Sequence, residues 1–315
     1  MENNTHNKNK YLSIPTCNVC GNELIIQFSM VQDPMTNECF AIYKCSECGL
    51  GHTFPQPESL MKYYDKSYYG SRHGLTESYC IKRRMRLVSS AMKDRNGNRL
   101  LDIGCGDGSF LLAIKHSGWE VTGIETNPNL ESTEEFIVRR DIDELFNCTP
   151  FDCITMWHTL EHMQDISTMV SQIYRILKPG GILIIVVPNN SSFQSKIFKS
   201  KWLHLDVPRH LYHLDVSSLQ YCLKTKGFVV QNQRYQELEY DLLGWAQSAL
   251  NCILNFHNVF FNYLRGKKTG YSRLVNITNL LIGIFLVMFF LPIALAEKLF
   301  KRSGTIITIA SKDAV

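Results

Sequence analysis

The chain has 315 residues, 45% of them hydrophobic, and a formal net charge of +4. That length holds one large domain or two modest ones with ample core, and so mild a charge without basic runs interleaved with aromatics argues against a nucleic-acid partner. Residues 1–12 are polar, lack the apolar core of a signal peptide and read as disordered, so the 11 cysteines are expected to be thiols and metal ligands of a cytoplasmic protein rather than disulfides.

Cys17-Asn18-Val19-Cys20-Gly21 and Cys45-Ser46-Glu47-Cys48-Gly49 are two matching knuckles. Each sets two thiolates on one turn, with a glycine that lets the chain fold back. Together they form a tetrahedral four-cysteine site for Zn2+; the alternative is a redox pair. Four thiolates leave no open position for a substrate, so the metal is expected to be structural. Leu24–Phe28 and Cys39–Tyr43 read as short strands between the knuckles, giving a zinc ribbon over residues 13–54. Residues 55–97 form a linker or lid. It opens with the rigid segment Phe54-Pro55-Gln56-Pro57-Glu58, carries the tyrosines Tyr63, Tyr64, Tyr68 and Tyr69, and continues into an amphipathic helix over Cys80–Met92.

Leu100-Leu101-Asp102-Ile103-Gly104-Cys105-Gly106-Asp107-Gly108 is an apolar strand running into three alternate glycines, after which Phe110–Ile114 resumes as a helix. Glycine is required where a backbone turns sharply or a ligand approaches it closely. The dinucleotide fingerprint is not met, because Ser109 holds the place of its third glycine. A carboxylate two residues before the first glycine suits an ammonium group, not a pyrophosphate. Trp119–Glu125 is a second strand ending in an acid, where a ribose places its hydroxyls. Adenosine joined to an amino acid, without phosphates, is S-adenosylmethionine. Phe151–Trp157 then reads as a strand ending at a ligand-binding crevice, where Trp157, His158 and His162 lie. Lys178-Pro179-Gly180-Gly181 stops the helix Met169–Leu177 before the buried strand Ile182–Val187.

In this order, over residues 98–235, these motifs resemble the class I S-adenosylmethionine-dependent methyltransferases of the bacterial group with an N-terminal zinc ribbon. The resemblance implies a Rossmann-like α/β fold with a seven-stranded sheet over residues 98–240 and 303–315. It implies that Asp102, Gly104, Cys105, Gly106 and Gly108 hold the methionine part of the cofactor, Glu125 the ribose and Asp141 the adenine. Trp157 lines the cofactor site, and a tyrosine such as Tyr69 lies across it. The stretch between Glu125 and Phe136 is too short for the full helix usual in the family.

Trp202–His213 concentrates histidines around Asp206-Val207-Pro208-Arg209-His210. Similar segments of the group lie on the loop over the acceptor. Arg209 and His158 are thus candidates for acceptor binding, and His162 or His210 for the base that removes its proton. A metal cluster of His204, Asp206 and His210 is the lesser alternative. Ser217–Lys226 and Phe228–Tyr235 follow as helix and strand.

Residues 241–302 turn hydrophobic. Leu280–Ala296 is apolar apart from Gly283 and Pro292, at the lower edge of a membrane span, and Gly304–Ala310 reads as the last strand of the sheet. That strand must return to the cytosolic domain, so a single crossing is disfavoured. Leu242–Leu264, with Gln247, Asn251, Asn255, His257 and Asn258, reads as too polar to cross. The expectation is a helical hairpin lying in the membrane interface; the alternative is a lid or a homodimer interface. The implied function is methyl transfer, as O-methylation of a sugar or polysaccharide precursor, a prenylated phenol or another small-molecule or lipid-linked acceptor, on the inner face of the membrane. The rival is a non-catalytic scaffold of a membrane-associated glycan assembly complex.

Overall fold

The structure, a computed structural model, describes residues 15–64, 76–126, 130–254, 256–267 and 269–313. The disordered start expected over residues 1–12 and the lid tyrosines Tyr68 and Tyr69 lie outside the described residues.

Three antiparallel strands open the chain: β1 (Leu24–Gln32), β2 (Cys39–Cys45) and β3 (Gly51–Phe54). The sequence reading has only the first two. The third pairs along its whole length with β2, and a distant segment, β9 (Tyr212–His213), joins its other edge, Gly51 opposite His213 and His52 opposite Tyr212. The ribbon therefore shares one sheet, ordered β1-β2-β3-β9, with the loop expected over the acceptor. Leu24 and Leu50 of the ribbon pack in one cluster with Leu211, Tyr212 and Leu214.

The helix α1 (Glu77–Ala91) leads into the main sheet. There follow β4 (Arg99–Ile103), α2 (Ser109–Lys115), β5 (Glu120–Ile124), β6 (Ile137–Arg139), β7 (Phe151–Trp157), α3 (Ile166–Ile176), β8 (Leu177–Pro188) and α4 (Phe193–Phe198). After β9 come α5 (Val216–Lys224), β10 (Phe228–Tyr235), three helices α6 (Leu238–Ile253), α7 (Val259–Leu264) and α8 (Arg273–Glu297), and finally β11 (Thr305–Lys312). Asp165 caps α3 by accepting the Ser167 and Thr168 N–H groups, and Asp215 with Ser218 makes a capping box on α5. No regular helix joins β5 to β6 among the described residues, as the shortened sequence implies.

The seven strands lie in the order β10-β11-β8-β7-β4-β5-β6, all parallel except β11, which runs antiparallel to both β8 and β10. Every residue of β7 is buried, as expected of a strand covered on both faces. The order reverses between β4 and β7, so their carboxyl ends open the crevice where such sheets bind ligands.

The helices before β11 form a body on one flank. At 25 residues, α8 spans about 37 Å and is long and apolar enough to cross a membrane, yet only a minor part of it is buried. Its start follows α7, which packs on it, and its end is followed at once by β11 in the sheet. The Phe260 ring packs against Gly283, where an added Cβ would come within 2.5 Å of the ring. The polar residues of the preceding segment turn inward: Gln247 donates to Asn251 (2.7 Å) and Asn251 to Asn258 (2.9 Å), while the Gln247 side chain accepts the Phe261 N–H (2.8 Å).

Candidate active site

At the end of β4 the chain makes the turn read from the sequence. Gly104, Gly106 and Gly108 all take left-handed φ, at 77°, 66° and 79°. A Cβ on Gly104 would stand 2.4 Å from the Thr159 hydroxyl oxygen. The Gly104 and Cys105 N–H groups donate to the Ile124 carbonyl (2.8 and 3.1 Å), and the Glu125 carboxylate accepts the Gly106 N–H (2.8 Å). The glycine turn and the acid after β5 are thus one clamped unit. Asp102 is buried and accepts the Thr155 hydroxyl proton at 2.6 Å. Asp141 is exposed and caps the turn Ile142–Leu145, accepting the Asp143 N–H at 2.9 Å. Trp157 ends β7 against the Phe110 ring and beneath the Arg84 guanidinium, and its indole N–H has no hydrogen-bond partner among the described residues.

Across the crevice the chain turns sharply after Trp157, putting His158 at φ 52°, an uncommon conformation for a non-glycine residue. The His158 ring stacks on Tyr240, with centroids 4.4 Å apart, and its Nε2 meets the Glu237 carboxylate at 2.6 Å. Burial works against its charge, but Glu237 and Glu161 outweigh that and lift its pKa to about 9, so it is a cation at neutral pH. Arg83 pairs with both Glu237 and Glu239.

His162 and His210 meet edge-on, ring centroids 4.7 Å apart. Each donates its Nδ1 proton to a backbone carbonyl, His162 to Arg209 (2.8 Å) and His210 to His204 (2.9 Å). Burial, reinforced by His210, pulls the His162 pKa down to about 4, so His162 is neutral. His204 donates from Nε2 to the Tyr240 carbonyl (3.1 Å), and Asp206 is held by Arg209, so His204, Asp206 and His210 do not assemble as a metal cluster. Arg209 is 5% exposed and bridges Asp206 (2.7 Å) and Asp33 of the ribbon (3.2 Å). Those ion pairs make it a pin between ribbon and loop.

Residues 72–233 match the model of a methyltransferase-domain family. The chain belongs to that family. Among curated relatives, the ubiquinone biosynthesis O-methyltransferase of Xanthomonas oryzae pv. oryzae is 29% identical over 138 residues, which cover 39% of this chain and 58% of that protein. The protein of the same name from Alkalilimnicola ehrlichii is 31% identical over 120 residues, covering 34% and 49%. The chain thus spans about half the length of the curated relatives it matches. Among solved structures, an S-adenosylmethionine-dependent methyltransferase from Archaeoglobus fulgidus is 23% identical, with a TM-score of 0.48 over 81% of this chain and all of that one.

The methyltransferase crevice continues well beyond the sheet. One cleft of about 670 Å3 joins Trp157, His158, Glu161, His162 and His210 to the apolar side chains Leu243, Phe260, Phe261, Ile284, Val287 and Met288 of the C-terminal helices. Sequence reasoning missed this wall, and it missed Glu161, Glu237 and Tyr240. Only the Glu161-His162 dipeptide beside the strand end carried a signal. Tyr69, expected across the cofactor, lies outside the described residues. At the far end of the ribbon, Cys17, Cys20, Cys45 and Cys48 bring their sulfurs together, with Cys17–Cys48 at 3.6 Å and Cys20–Cys45 at 3.3 Å. Four thiolates at about 2.3 Å around a tetrahedral zinc stand about 3.8 Å apart, so the cluster fits that ion with little adjustment.

Proposed function

We propose that this chain is an S-adenosylmethionine-dependent O-methyltransferase whose acceptor is amphiphilic: a lipid-linked sugar or polysaccharide precursor, or a prenylated phenol, met at the cytosolic face of a membrane. The observation that carries the reading is the single cleft, polar where it adjoins the end of β7 and the turn after it, and apolar along α6, α7 and α8. A free sugar nucleotide needs no such apolar wall. The exposed face of α8, with Leu281, Phe285, Met288 and Phe289, supports a helix laid in the membrane interface. The same face is the one that a second copy would cover in a homodimer.

The cofactor's fit rests on the turn. Left-handed glycines let the main chain turn tightly, with Thr159 packed on Gly104 and Phe136 on Gly108, and Glu125 stands locked beside them. S-adenosylmethionine, when bound, supplies a methyl group on a sulfonium with a neutral thioether as leaving group. In this reading Gly104, Cys105, Gly106 and Gly108 cradle the methionine part and Asp102 supplies negative field behind its ammonium. Glu125 takes the ribose hydroxyls, Asp141 the adenine, and Tyr69 covers the site. Trp157 and His158 border the reacting centre. His158, charged and stacked on Tyr240, orients an acceptor oxygen, and the proton leaves toward the His162–His210 pair. The four cysteines hold a structural Zn2+ that keeps β3 in register with β9, and so fixes the loop bearing His210.

Titration of the protein with S-adenosylmethionine, and transfer of labelled methyl into a membrane extract, tests the reading. Glu125→Ala is expected to weaken cofactor binding by about 1–3 kcal/mol through unpaired ribose hydroxyls. Unchanged affinity would overturn the ribose assignment; tight binding with no label transferred to any acceptor would favour a scaffold.

A further inference from the structure

We infer that Glu161, His162 and His210 form a divalent-cation site inside the acceptor cleft, separate from the four cysteines. A carboxylate oxygen and one ring nitrogen from each histidine lie within 4.8 Å of one another. Hydrogen bonding decides which nitrogens carry the lone pairs. Both Nδ1 atoms face backbone carbonyls, which can only accept; His162 Nδ1 also meets the Tyr64 hydroxyl at 3.3 Å, but the shorter contact to the Arg209 carbonyl keeps the proton on Nδ1, and both Nε2 lone pairs are left for the cation. A ring proton held by a carbonyl is the usual outer support of a metal-bound histidine.

Glu161 supplies the second, independent observation. It is 1% exposed, and neither of its oxygens has a hydrogen-bond partner among the described residues. The nearest cationic or ring groups stand off, His158 Nδ1 at 3.6 Å and His210 Nε2 at 4.0 Å. Removing a carboxylate from water costs several kcal/mol unless something takes up its charge and lone pairs. The cationic His158, shared with Glu237, takes up part of that cost through its charge, but neither carboxylate oxygen receives a direct hydrogen bond among the described residues. A cation between Glu161 and the two Nε2 atoms would meet the rest. The main chain holds the carboxylate in place, since the Glu161 carbonyl accepts the Leu211 N–H from the same loop at 2.9 Å.

Two imidazoles and one carboxylate suit a first-row divalent ion such as Mn2+, Fe2+ or Zn2+, whereas Mg2+ and Ca2+ prefer all-oxygen shells. Three protein ligands leave coordination positions open, and all three residues line the cleft, so those positions face the acceptor. Resting on the methyl-transfer reading, the inference assigns them to the acceptor oxygen. The bound hydroxyl acidifies and its proton passes to solvent water; the oxygen then forms its bond to the methyl carbon as the carbon–sulfur bond breaks, releasing S-adenosylhomocysteine. The two imidazoles then act as ligands instead of removing the proton directly.

The test uses the full-length, zinc-loaded protein titrated with Mn2+ and followed by the loss of the free-ion paramagnetic resonance signal. One Mn2+ per chain is expected in addition to zinc. Glu161→Gln and His210→Gln should each weaken Mn2+ binding at least tenfold while zinc content and S-adenosylmethionine affinity stay unchanged, which shows the fold intact. No Mn2+ bound by the native chain, or equal binding by both variants, overturns the site. Because the readout is binding, Mn2+ bound at this site without any methyl transfer would overturn the methyl-transfer reading alone. Full methyl transfer by a chain that binds no Mn2+ would overturn the site alone.

Discussion

The two ends of the crevice are built in opposite ways. The end that we propose for the cofactor is built within a few consecutive residues: β4, three left-handed glycines and the start of α2, with Glu125 one strand away and hydrogen-bonded back to Gly106. At the acceptor end, β7 supplies Trp157 and the turn after it His158, Glu161 and His162. The loop before β9 supplies His210, and a helical body inserted ahead of the last strand supplies the apolar wall. The ribbon holds this second assembly together through β9 and through Asp33, which pairs with Arg209. The difference teaches that one end is a local motif and the other a convergence, so the two should be breakable one at a time.

The largest separation is expected from the cysteines. Structural zinc sites contribute roughly 10–16 kcal/mol to the folding of small zinc domains at pH 7. Cys48→Ser should therefore release the metal and expose the amides of Gly51–Phe54 and Tyr212–His213 to hydrogen exchange, while Leu100–Ile103 stays protected. Loss of protection along β4 as well would mean that the two ends are one cooperative unit. The converse variant is Gly104→Ala, which forces φ +77° on an alanine and drives its Cβ to 2.4 Å from Thr159. Strain of about 1–3 kcal/mol is expected, seen as at least a tenfold loss of S-adenosylmethionine affinity at unchanged zinc content.

A third change sharpens the comparison within the acceptor end. Glu297 closes α8 and accepts the Trp245 indole N–H at 2.9 Å, and burial raises its pKa from 4.5 to about 7. Asp241 is fully buried, and burial together with the charge of Glu297 lifts its pKa too. The folded chain keeps the Glu297 proton up to about pH 7, whereas the unfolded chain loses it near 4.5. The penalty of the buried charge is therefore absent below about pH 4.5, grows as pH rises to 7 and is complete above it. Glu297→Gln should raise stability by up to about 3 kcal/mol at pH 8 and change it little at pH 4.5, measured as thermal midpoints across that range. A variant less stable than the native chain at pH 8 would show that the carboxylate is satisfied there.

The smallest effect on stability, and the most specific, is expected on α8. Phe285 is 60% exposed, so Phe285→Glu should change stability by no more than about 0.5 kcal/mol. Binding to vesicles containing anionic lipid should nevertheless fall severalfold in co-sedimentation. Retained vesicle binding, with loss of a dimer on gel filtration, would assign that face to a second copy of the chain.

What the sequence discloses follows the same division. The glycine turn, the acid after β5 and the paired cysteine knuckles are legible because close sequence spacing forces each motif's geometry. The boundaries of β4 and β7 follow from apolar runs of full-strand length. Arg209 is different: it reads as a candidate for acceptor binding in a histidine-rich loop, and only the fold brings Asp33 of the ribbon to it. Asp141 reads as a ligand from the resemblance alone; its place as the cap of the turn Ile142–Leu145 is a local signal that the sequence also carries. Gln247, Asn251 and Asn258 make their segment look too polar to cross a membrane, and in the fold they bond to one another. Glu161 drew no attention because its neighbour His162 carries the more familiar chemistry; its solitude among imidazoles is a property of three segments, not of one.

The most direct test of the central claim is to follow labelled methyl from S-adenosylmethionine into cell extract and separate organic-soluble from aqueous products. The account predicts label in the organic phase, lost with Glu125→Ala and reduced with Phe285→Glu. Label confined to the aqueous phase would contradict it, because a soluble sugar acceptor has no use for the apolar wall of α6, α7 and α8.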